Sequence, residues 1–383
     1  MSSRDARREK ILSLAQWGLV SCSNSYFSWL LGRMKYNLHS KSIDALRGIA
    51  AATVFFAHSD TSGLATNAWL SANKGFLGDF GVYVFFCLSG YLIWQSGSRL
   101  IGTSQGVSRY VIHRFTRLVP LYLVNIFVVT VLLGYIGSRW VPQYDLTIIL
   151  RHLVFSQDLY PSVSRAINPV LWTLTHEVTY YILVPLILMV GIRSKTAILV
   201  ASLVLYALFL KAGWVGYIRF VEVFYAFAFG IYIAESSVKE QWVVCILAGV
   251  ITAYALIGGW VIHPYAGRIA GIAFAMVVIA LTKGKECSQT VSRLMTPLVF
   301  LGVISYSLYI WHYQIIYVVE YYYPFFNHHV PGWSKYGVVS GTILSALCIL
   351  VSWLSYRFIE KPSMTSMRVK LEKRFASMPV DVR

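Results

Sequence analysis

One apolar segment of the chain contains both an arginine and a histidine. It runs DALRGIAAATVFFAHSD, in which Arg47 and His58 are separated by ten residues that are nearly all apolar or small. In an α-helix, eleven positions correspond to about three turns and about 16 Å, so both side chains project from one face. Arginine binds anions, and a neutral imidazole serves as a base or a nucleophile. The spacing therefore predicts an anion site and a base on one side of a helix.

Each of these two residues also has a purely structural interpretation. Arg47 could extend to lipid phosphates with its apolar stem buried, and His58 could satisfy a buried hydrogen bond. The residues alone leave both interpretations open.

A second group of ionisable residues lies in other apolar parts of the chain. Glu177 lies a couple of turns into the segment LWTLTHEVTYYILVPL, at a depth similar to that of His58, so the carboxylate could orient the imidazole. The alternative is structural pairing of His176 and Glu177 with nearby groups. Arg114 and Arg117 lie three residues apart in a basic loop, where they could bind phosphate or simply reflect a basic cytoplasmic loop.

The segment FLGVISYSLYIWHYQIIYVVE carries more polar groups than a helix in contact with lipid tolerates. Such groups either line a substrate chamber or form bonds between helices. We expect Tyr306 and His312 from this segment, together with Trp172, to line an acceptor chamber.

The composition predicts a membrane protein. The 383 residues are 57% hydrophobic and 13% charged, whereas soluble domains carry roughly a quarter charged residues. The net charge of +17 is explained by basic cytoplasmic segments rather than by nucleic-acid binding. The five cysteines show no paired spacing, so we expect neither a disulfide framework nor a metal site. We expect them to be buried core residues.

Windows of about 20 apolar residues predict an all-α bundle of ten transmembrane helices. The predicted spans are 43–60, 78–96, 118–137, 170–190, 196–211, 217–235, 242–261, 266–282, 298–320 and 336–357.

Charge and composition also predict the orientation and the domain limits. With both termini in the cytoplasm, the cytoplasmic segments hold 25 of the 33 lysine and arginine residues, as the positive-inside rule requires. Residues 1–41 form an N-terminal extension without a cleavable signal, in which Ile11–Leu31 predicts an interfacial helix. The membrane domain spans 42–362, and 363–383 form a cytoplasmic tail too short for an appended extracytoplasmic domain.

Six ordered segments resemble acyltransferase family 3, the integral-membrane O-acyltransferases that modify cell-surface glycans. They are IDALRGIAAATVFFAH, FGVYVFFCLSGYLIW, HRFTRLVPLY, LWTLTHEVTYYILVPL, LGVISYSLYIWH and LSYRFIEKP. The resemblance covers about Ser42 to Pro362 and implies a ten-helix domain. The run HEVTYY departs from the usual pattern, which leaves the role of His176 open.

The resemblance also implies roles for individual residues. His58 matches the essential histidine of the family and Arg47 its paired arginine, while Arg114 and Arg117 match its basic pair and Glu177 its glutamate in the fourth span. We therefore expect His58 and Glu177 to be catalytic, with His58 acting as a general base or carrying the acyl group. The three arginines are expected to bind acyl-CoA, with no permanently bound cofactor and no metal.

The family further implies acetyl transfer from acetyl-CoA to a hydroxyl of an exopolysaccharide or lipopolysaccharide at a bacterial inner membrane. Longer acyl groups, and a small-molecule or lipid-linked acceptor, remain alternatives. A proton-coupled transporter is the alternative from another class, because buried ionisable groups also form proton pathways. The absence of paired repeats in the sequence counts against a transporter.

Overall fold

A computed structural model gives the fold of the protein, whose regular elements are helices; the described residues contain no β-strand. The structure describes residues 38–376 except 62–67, 104, 134–144, 161, 215–218, 238, 244–245, 247–249, 251–264, 284, 286–288 and 330–337. The predicted interfacial helix at Ile11–Leu31, most of the predicted span 242–261 and the last seven residues lie outside this set.

Thirteen α-helices have both ends among the described residues, and we number them in chain order. They are α1 (Leu38–Thr61), α2 (Ala68–Leu100), α3 (Gly106–Phe127), α4 (Leu146–Leu153), α5 (Trp172–Met189), α6 (Lys195–Lys211), α7 (Arg219–Ala234), α8 (Ala266–Thr282), α9 (Gln289–Val303), α10 (Ser305–Tyr321), α11 (Tyr323–His329), α12 (Val338–Ser355) and α13 (Arg368–Ala376).

Several helices are long and apolar enough to cross a membrane. Four such stretches occur in the described part of the chain, and the pair α9–α10 makes a fifth when it is counted as one bent span. The four are Ala72–Leu100, Gly106–Val131, Pro169–Met189 and Val339–Phe375. These five coincide with predicted spans, so the helical membrane class is supported, whereas ten spans and cytoplasmic termini remain predictions.

Two predicted elements differ from the structure. The basic stretch 97–117 was expected to be a loop, but α3 begins at Gly106 and carries Arg114 and Arg117 on its surface. The predicted span 298–320 is interrupted at Ile304, where α9 and α10 meet at a bend of 64°. Hydropathy indicates neither feature, because charged residues lower it where α3 begins and it stays apolar through the bend at Ile304.

The helix α1 is held against α9 by two glycines. A Cβ atom on Gly48 would lie 2.2 Å from the carbonyl oxygen of Leu298, and one on Gly302 would lie 1.7 Å from that of Asp44. A side chain at either position would force the two helices apart. Because Arg47 adjoins this crossing, the glycines fix where its side chain enters the bundle.

The helix α2 packs against α1, α3, α5, α7 and α8 and carries the largest buried side chains of the core. Trp94, Tyr83 and Tyr91 are each almost fully buried. Cys87 in α2 and Cys348 in α12 are free and buried, in agreement with their predicted place in the core.

Candidate active site

A cavity of about 260 Å³ lies among α1, α2, α3, α5 and α10. Its charged lining residues are Arg47, Arg114, Arg117 and Glu177. Three positive groups and one ionised carboxylate give the lining a charge of +2. Four residues that were predicted on three separate segments therefore share one cavity.

The guanidinium groups in this cavity have few protein partners. No salt bridge among the described residues includes Arg47, Arg114 or Arg117. Nη2 of Arg114 lies 3.4 Å from the Leu92 carbonyl oxygen, and its Nε is buried without a hydrogen-bond partner. Unsatisfied cationic donors in a buried site are costly, and a polyanionic ligand would satisfy them.

Carboxylates surround the arginines without pairing directly with them. Glu177 accepts a hydrogen bond from the Tyr181 hydroxyl at 2.6 Å. Glu360 is buried, accepts from Ser307 Oγ at 2.8 Å, and acts electrostatically on Arg47 and Arg117. The sequence singled out Glu360 only as part of the FIEKP motif. The sequence feature that could have indicated Glu360 is an acidic residue directly after an apolar segment.

His58 lies three turns from Arg47 on the same continuous helix and is not among the lining residues of the cavity. Its Nδ1 is 3.0 Å from the Val54 carbonyl oxygen and 3.0 Å from Nε2 of His312. Nδ1 of His312 is in turn 3.0 Å from the carbonyl oxygen of Leu308. The two imidazoles therefore form a pair joining α1 to α10.

The carbonyl oxygens assign the tautomers of this pair, since a carbonyl can only accept a hydrogen bond. Nδ1 of His312 must carry a proton to donate to Leu308, which leaves Nε2 of the neutral ring as an acceptor. Nδ1 of His58 likewise carries a proton, shared between Val54 and His312. The lone pair of neutral His58 then lies on Nε2, where it can take a proton or attack a carbonyl carbon.

The structure does not bring Glu177 into hydrogen-bond contact with His58. The carboxylate bonds to Tyr181, one turn along its own helix, whereas His312 and the backbone of Val54 orient His58. Similar depth in two spans did not predict contact, because depth carries no information about the direction in which each side chain points.

The three residues expected in an acceptor chamber are dispersed. Tyr306 lines the arginine cavity and donates a hydrogen bond to the Leu118 carbonyl oxygen at 2.6 Å. His312 is buried against His58. Trp172 does not line the cavity, and its ring contacts His176 and the guanidinium of Arg219.

His176 belongs to a buried cluster centred on Asp158. Its Nε2 is 2.8 Å from Asp158 Oδ2, and Arg219 donates from Nη1 to Oδ1 at 3.0 Å. Ser164 also donates to Oδ1. The cluster ties the segment before α5 to α5 and α7, which gives the unusual histidine a structural partner. Sequence reasoning missed Asp158 because it lies in a short 3-10 helix, Gln157–Leu159, in a connection outside the apolar segments.

Comparisons with known proteins identify the family of the chain. A family model described as an acyltransferase domain matches residues 40–357. O-acetyltransferase OatA of Staphylococcus aureus is 28% identical over 378 residues, covering 88% of this chain and 58% of its own length. BcsY of Komagataeibacter xylinus, named as a membrane-bound transacylase, is 28% identical over 84% of this chain and 82% of its own length.

A further relative is the peptidoglycan O-acetyltransferase OatA of Listeria monocytogenes, which is 26% identical over 84% of this chain and 55% of its own length. The chain thus spans little more than half the length of the OatA relatives. No solved structure matches it. Because the family model covers most of the chain and its apolar helices are those of a multi-pass membrane protein, the chain belongs to the membrane acyltransferases of this family.

Proposed function

We propose that the protein is a membrane O-acyltransferase that moves an acetyl group from acetyl-CoA to a hydroxyl of a cell-surface glycan. The names of the relatives support this reaction. They include O-acetyltransferases, one of which is named for peptidoglycan. The enzyme would work in a bacterial inner membrane, with both termini and the donor on the cytoplasmic side.

The observation that carries the proposal is the position of two groups along α1: Arg47 lies near the middle of the helix, and His58 lies three turns further toward its C-terminal end. Arg47, Arg114 and Arg117 line a cavity without salt-bridge partners among the described residues. Coenzyme A carries phosphates that such arginines bind through charge-assisted hydrogen bonds. Its pantetheine arm is long and narrow, so a thioester anchored by these groups extends toward His58, about 16 Å along the helix.

The chemistry follows from the free lone pair on Nε2 of His58. In one route Nε2 takes the proton of the acceptor hydroxyl while the hydroxyl oxygen attacks the thioester carbon. The carbon–sulfur bond breaks, and the sulfur leaves as the thiolate of coenzyme A. In the other route Nε2 attacks the thioester carbon, and the carbon–sulfur bond breaks with release of the thiolate. The hydroxyl oxygen then attacks the acyl carbon, the acyl–nitrogen bond breaks, and Nε2 takes the hydroxyl proton. Both routes need Nε2 unprotonated, which the hydrogen bonds of Nδ1 support.

The test compares His58→Gln with His328→Gln, a control on exposed α11, in vesicles supplied with labelled acetyl-CoA and glycan. We expect His58→Gln to lower transfer by at least about 100-fold while coenzyme A binding is retained. The control keeps both activities. Arg117→Gln should weaken coenzyme A binding by about tenfold or more, because it removes hydrogen bonds to a charged group.

Wild-type transfer rates in an inserted His58→Gln protein would rule out this mechanism. Failure of the wild-type protein to bind coenzyme A would rule out the donor. Mass spectrometry of surface glycans from cells with and without the gene identifies the acceptor.

A further inference from the structure

One aromatic ring lies between the arginine cavity and the histidine pair. Tyr309 lines the cavity, and its ring centroid is 5.9 Å from that of His312. The side chain is buried, with 8% of the residue exposed. Since His58 does not line the cavity, the Tyr309 ring stands between the donor site and the histidine that the proposed reaction uses.

Hydrogen bonds hold the Tyr309 ring in this position. Its hydroxyl is 2.9 Å from the Val170 carbonyl oxygen and 2.9 Å from Thr173 Oγ1. Thr173 also donates to the Val170 oxygen, at 3.2 Å. Both partners lie at the start of α5, so Tyr309 bridges α10 and α5 across the end of the cavity.

Phe85 of α2 completes the wall. Its ring meets Tyr309 edge to face at 5.9 Å between centroids, and it also lines the cavity. Val54, one turn before His58 on α1, packs in the same apolar cluster as Tyr309 and Phe85. Tyr309 and Phe85 thus form an aromatic wall of the cavity that packs against the turn of α1 before His58, and His58 itself is not among the lining residues.

A thioester that enters from the arginine end can meet His58 only if the wall yields. An acetyl group needs room for one methyl beyond the carbonyl, whereas a butanoyl group needs room for two further methylene groups. Added volume against a packed wall forces side chains away from their preferred rotamers. Longer acyl groups thus meet a larger barrier than acetyl does.

We propose that Tyr309 is a specificity-determining residue: its ring, supported by Phe85, closes the donor cavity toward His58 and selects acetyl over longer acyl groups. This inference rests on the proposed function, because it assumes an acyl-CoA donor and a reaction at His58.

The test measures kcat/KM for acetyl-CoA and for butanoyl-CoA with purified protein in vesicles. Wild-type protein should prefer acetyl-CoA. Tyr309→Ala and Phe85→Ala should lower the ratio of acetyl to butanoyl transfer by at least about tenfold, the scale at which pockets discriminate a methylene group. Tyr309→Phe keeps the ring but loses the hydrogen bonds that hold it, so its ratio should lie between those of the wild type and of Tyr309→Ala.

Tyr122→Ala is the matched control. Tyr122 is also a buried tyrosine whose hydroxyl donates to a carbonyl oxygen, that of His152 at 2.8 Å, but it does not line the cavity. Whatever this change does to the overall rate, the acetyl-to-butanoyl ratio should remain that of the wild type. A ratio is also insensitive to the fraction of protein that folds.

Three outcomes would overturn the inference. A wild-type protein without preference for acetyl would do so, as would an unchanged ratio in an active Phe85→Ala or Tyr309→Ala protein. If one of the two variants fails to insert, the other decides. A wild-type protein that binds acyl-CoA but transfers neither group would overturn the proposed function, and this inference with it.

Discussion

His312 differs from the other polar residues of α10 because its imidazole contacts His58, the proposed catalytic base. It is buried, donates to the Leu308 carbonyl oxygen, and accepts from Nδ1 of His58. We infer that His312 is a positioning residue, which keeps His58 in the tautomer whose Nε2 is free. A residue in this position acts by orienting the His58 ring and has no contact with substrate.

This role predicts different outcomes for two replacements of His312. Glutamine retains an acceptor oxygen, so His312→Gln should keep most of the transfer rate. His312→Leu removes the acceptor, and kcat should fall by up to about tenfold, which corresponds to one hydrogen bond. The KM for acetyl-CoA should not change, because His312 does not line the arginine cavity. Steady-state kinetics in vesicles separate the two parameters.

Equal loss of kcat in the glutamine and leucine variants would show that His312 acts by volume alone. A raised KM for acetyl-CoA would place it in the donor site instead.

At the residue scale, the sequence predicted contacts within one helix better than contacts between helices. The spacing of Arg47 and His58 follows from helical geometry, and the structure keeps both on one continuous helix. The pairing of His58 with His312 joins residues 254 positions apart. The spacing of residues along the sequence does not indicate a contact between distant helices. Glu177 was therefore predicted as the partner of His58 instead of His312.

At the scale of helices, we expect the crossing of α1 and α9 to contribute to the stability of the protein against unfolding. We expect Gly302→Val to be destabilising by about 1–3 kcal/mol or more, because its Cβ would overlap the Asp44 carbonyl oxygen and overpack the crossing. Thermal unfolding in detergent should show a lowered midpoint, and transfer activity should fall as Arg47 is displaced.

Gly75→Ala is the control for this prediction. Gly75 lies in α2, and a Cβ atom there would have no heavy atom within 4 Å. Its unfolding midpoint should match or exceed that of the wild type, since alanine favours a helix more than glycine does. An unchanged midpoint in Gly302→Val would mean that the crossing tolerates a wider separation than the structure shows.

Element boundaries were predicted well where apolar residues dominate and poorly where charge interrupts them. The predicted span 170–190 agrees closely with the apolar stretch Pro169–Met189. The start of α3 was missed by several turns, because Arg109, Arg114 and Arg117 gave the segment the composition of a loop. In the folded protein, Arg114 and Arg117 line a cavity between helices and Arg109 is exposed, and a hydropathy window takes no account of these surroundings.

At the scale of the whole molecule, the proposed donor site at Arg47 and the proposed base His58 lie three turns apart along α1, and the proposed entry of the donor from the cytoplasm predicts a sided reaction. Acetyl-CoA cannot cross a bilayer, so sealed vesicles with uniformly oriented protein should consume it only when it is supplied at the arginine end. Measuring coenzyme A release with donor inside or outside the vesicles checks this. Detergent should abolish the difference between the two preparations.

Equal consumption from both sides in intact vesicles would contradict this arrangement. It would mean that the arginine cavity and His58 open to the same compartment.

Composition alone predicted the membrane class, because the chain is 57% hydrophobic and 13% charged. Soluble domains have a smaller hydrophobic fraction and roughly twice the charged fraction. Composition did not determine the number of spans. α1 is long enough to cross a bilayer, yet Asp44, Arg47 and His58 lower its hydropathy, and it is not among the helices that qualify by composition. The family assignment came from six ordered motifs and is confirmed by the match to residues 40–357.

The continuity of α1 makes the distance between its two polar residues a fixed length. An insertion of one residue between Arg47 and His58 would rotate one side chain by about 100° relative to the other and lengthen the separation by about 1.5 Å. Substitutions at the small and apolar positions between them leave this alignment intact, provided that they pack. Homologous chains can therefore vary in composition across this helix at positions other than Gly48, whereas insertions and deletions within it would change the alignment of Arg47 with His58.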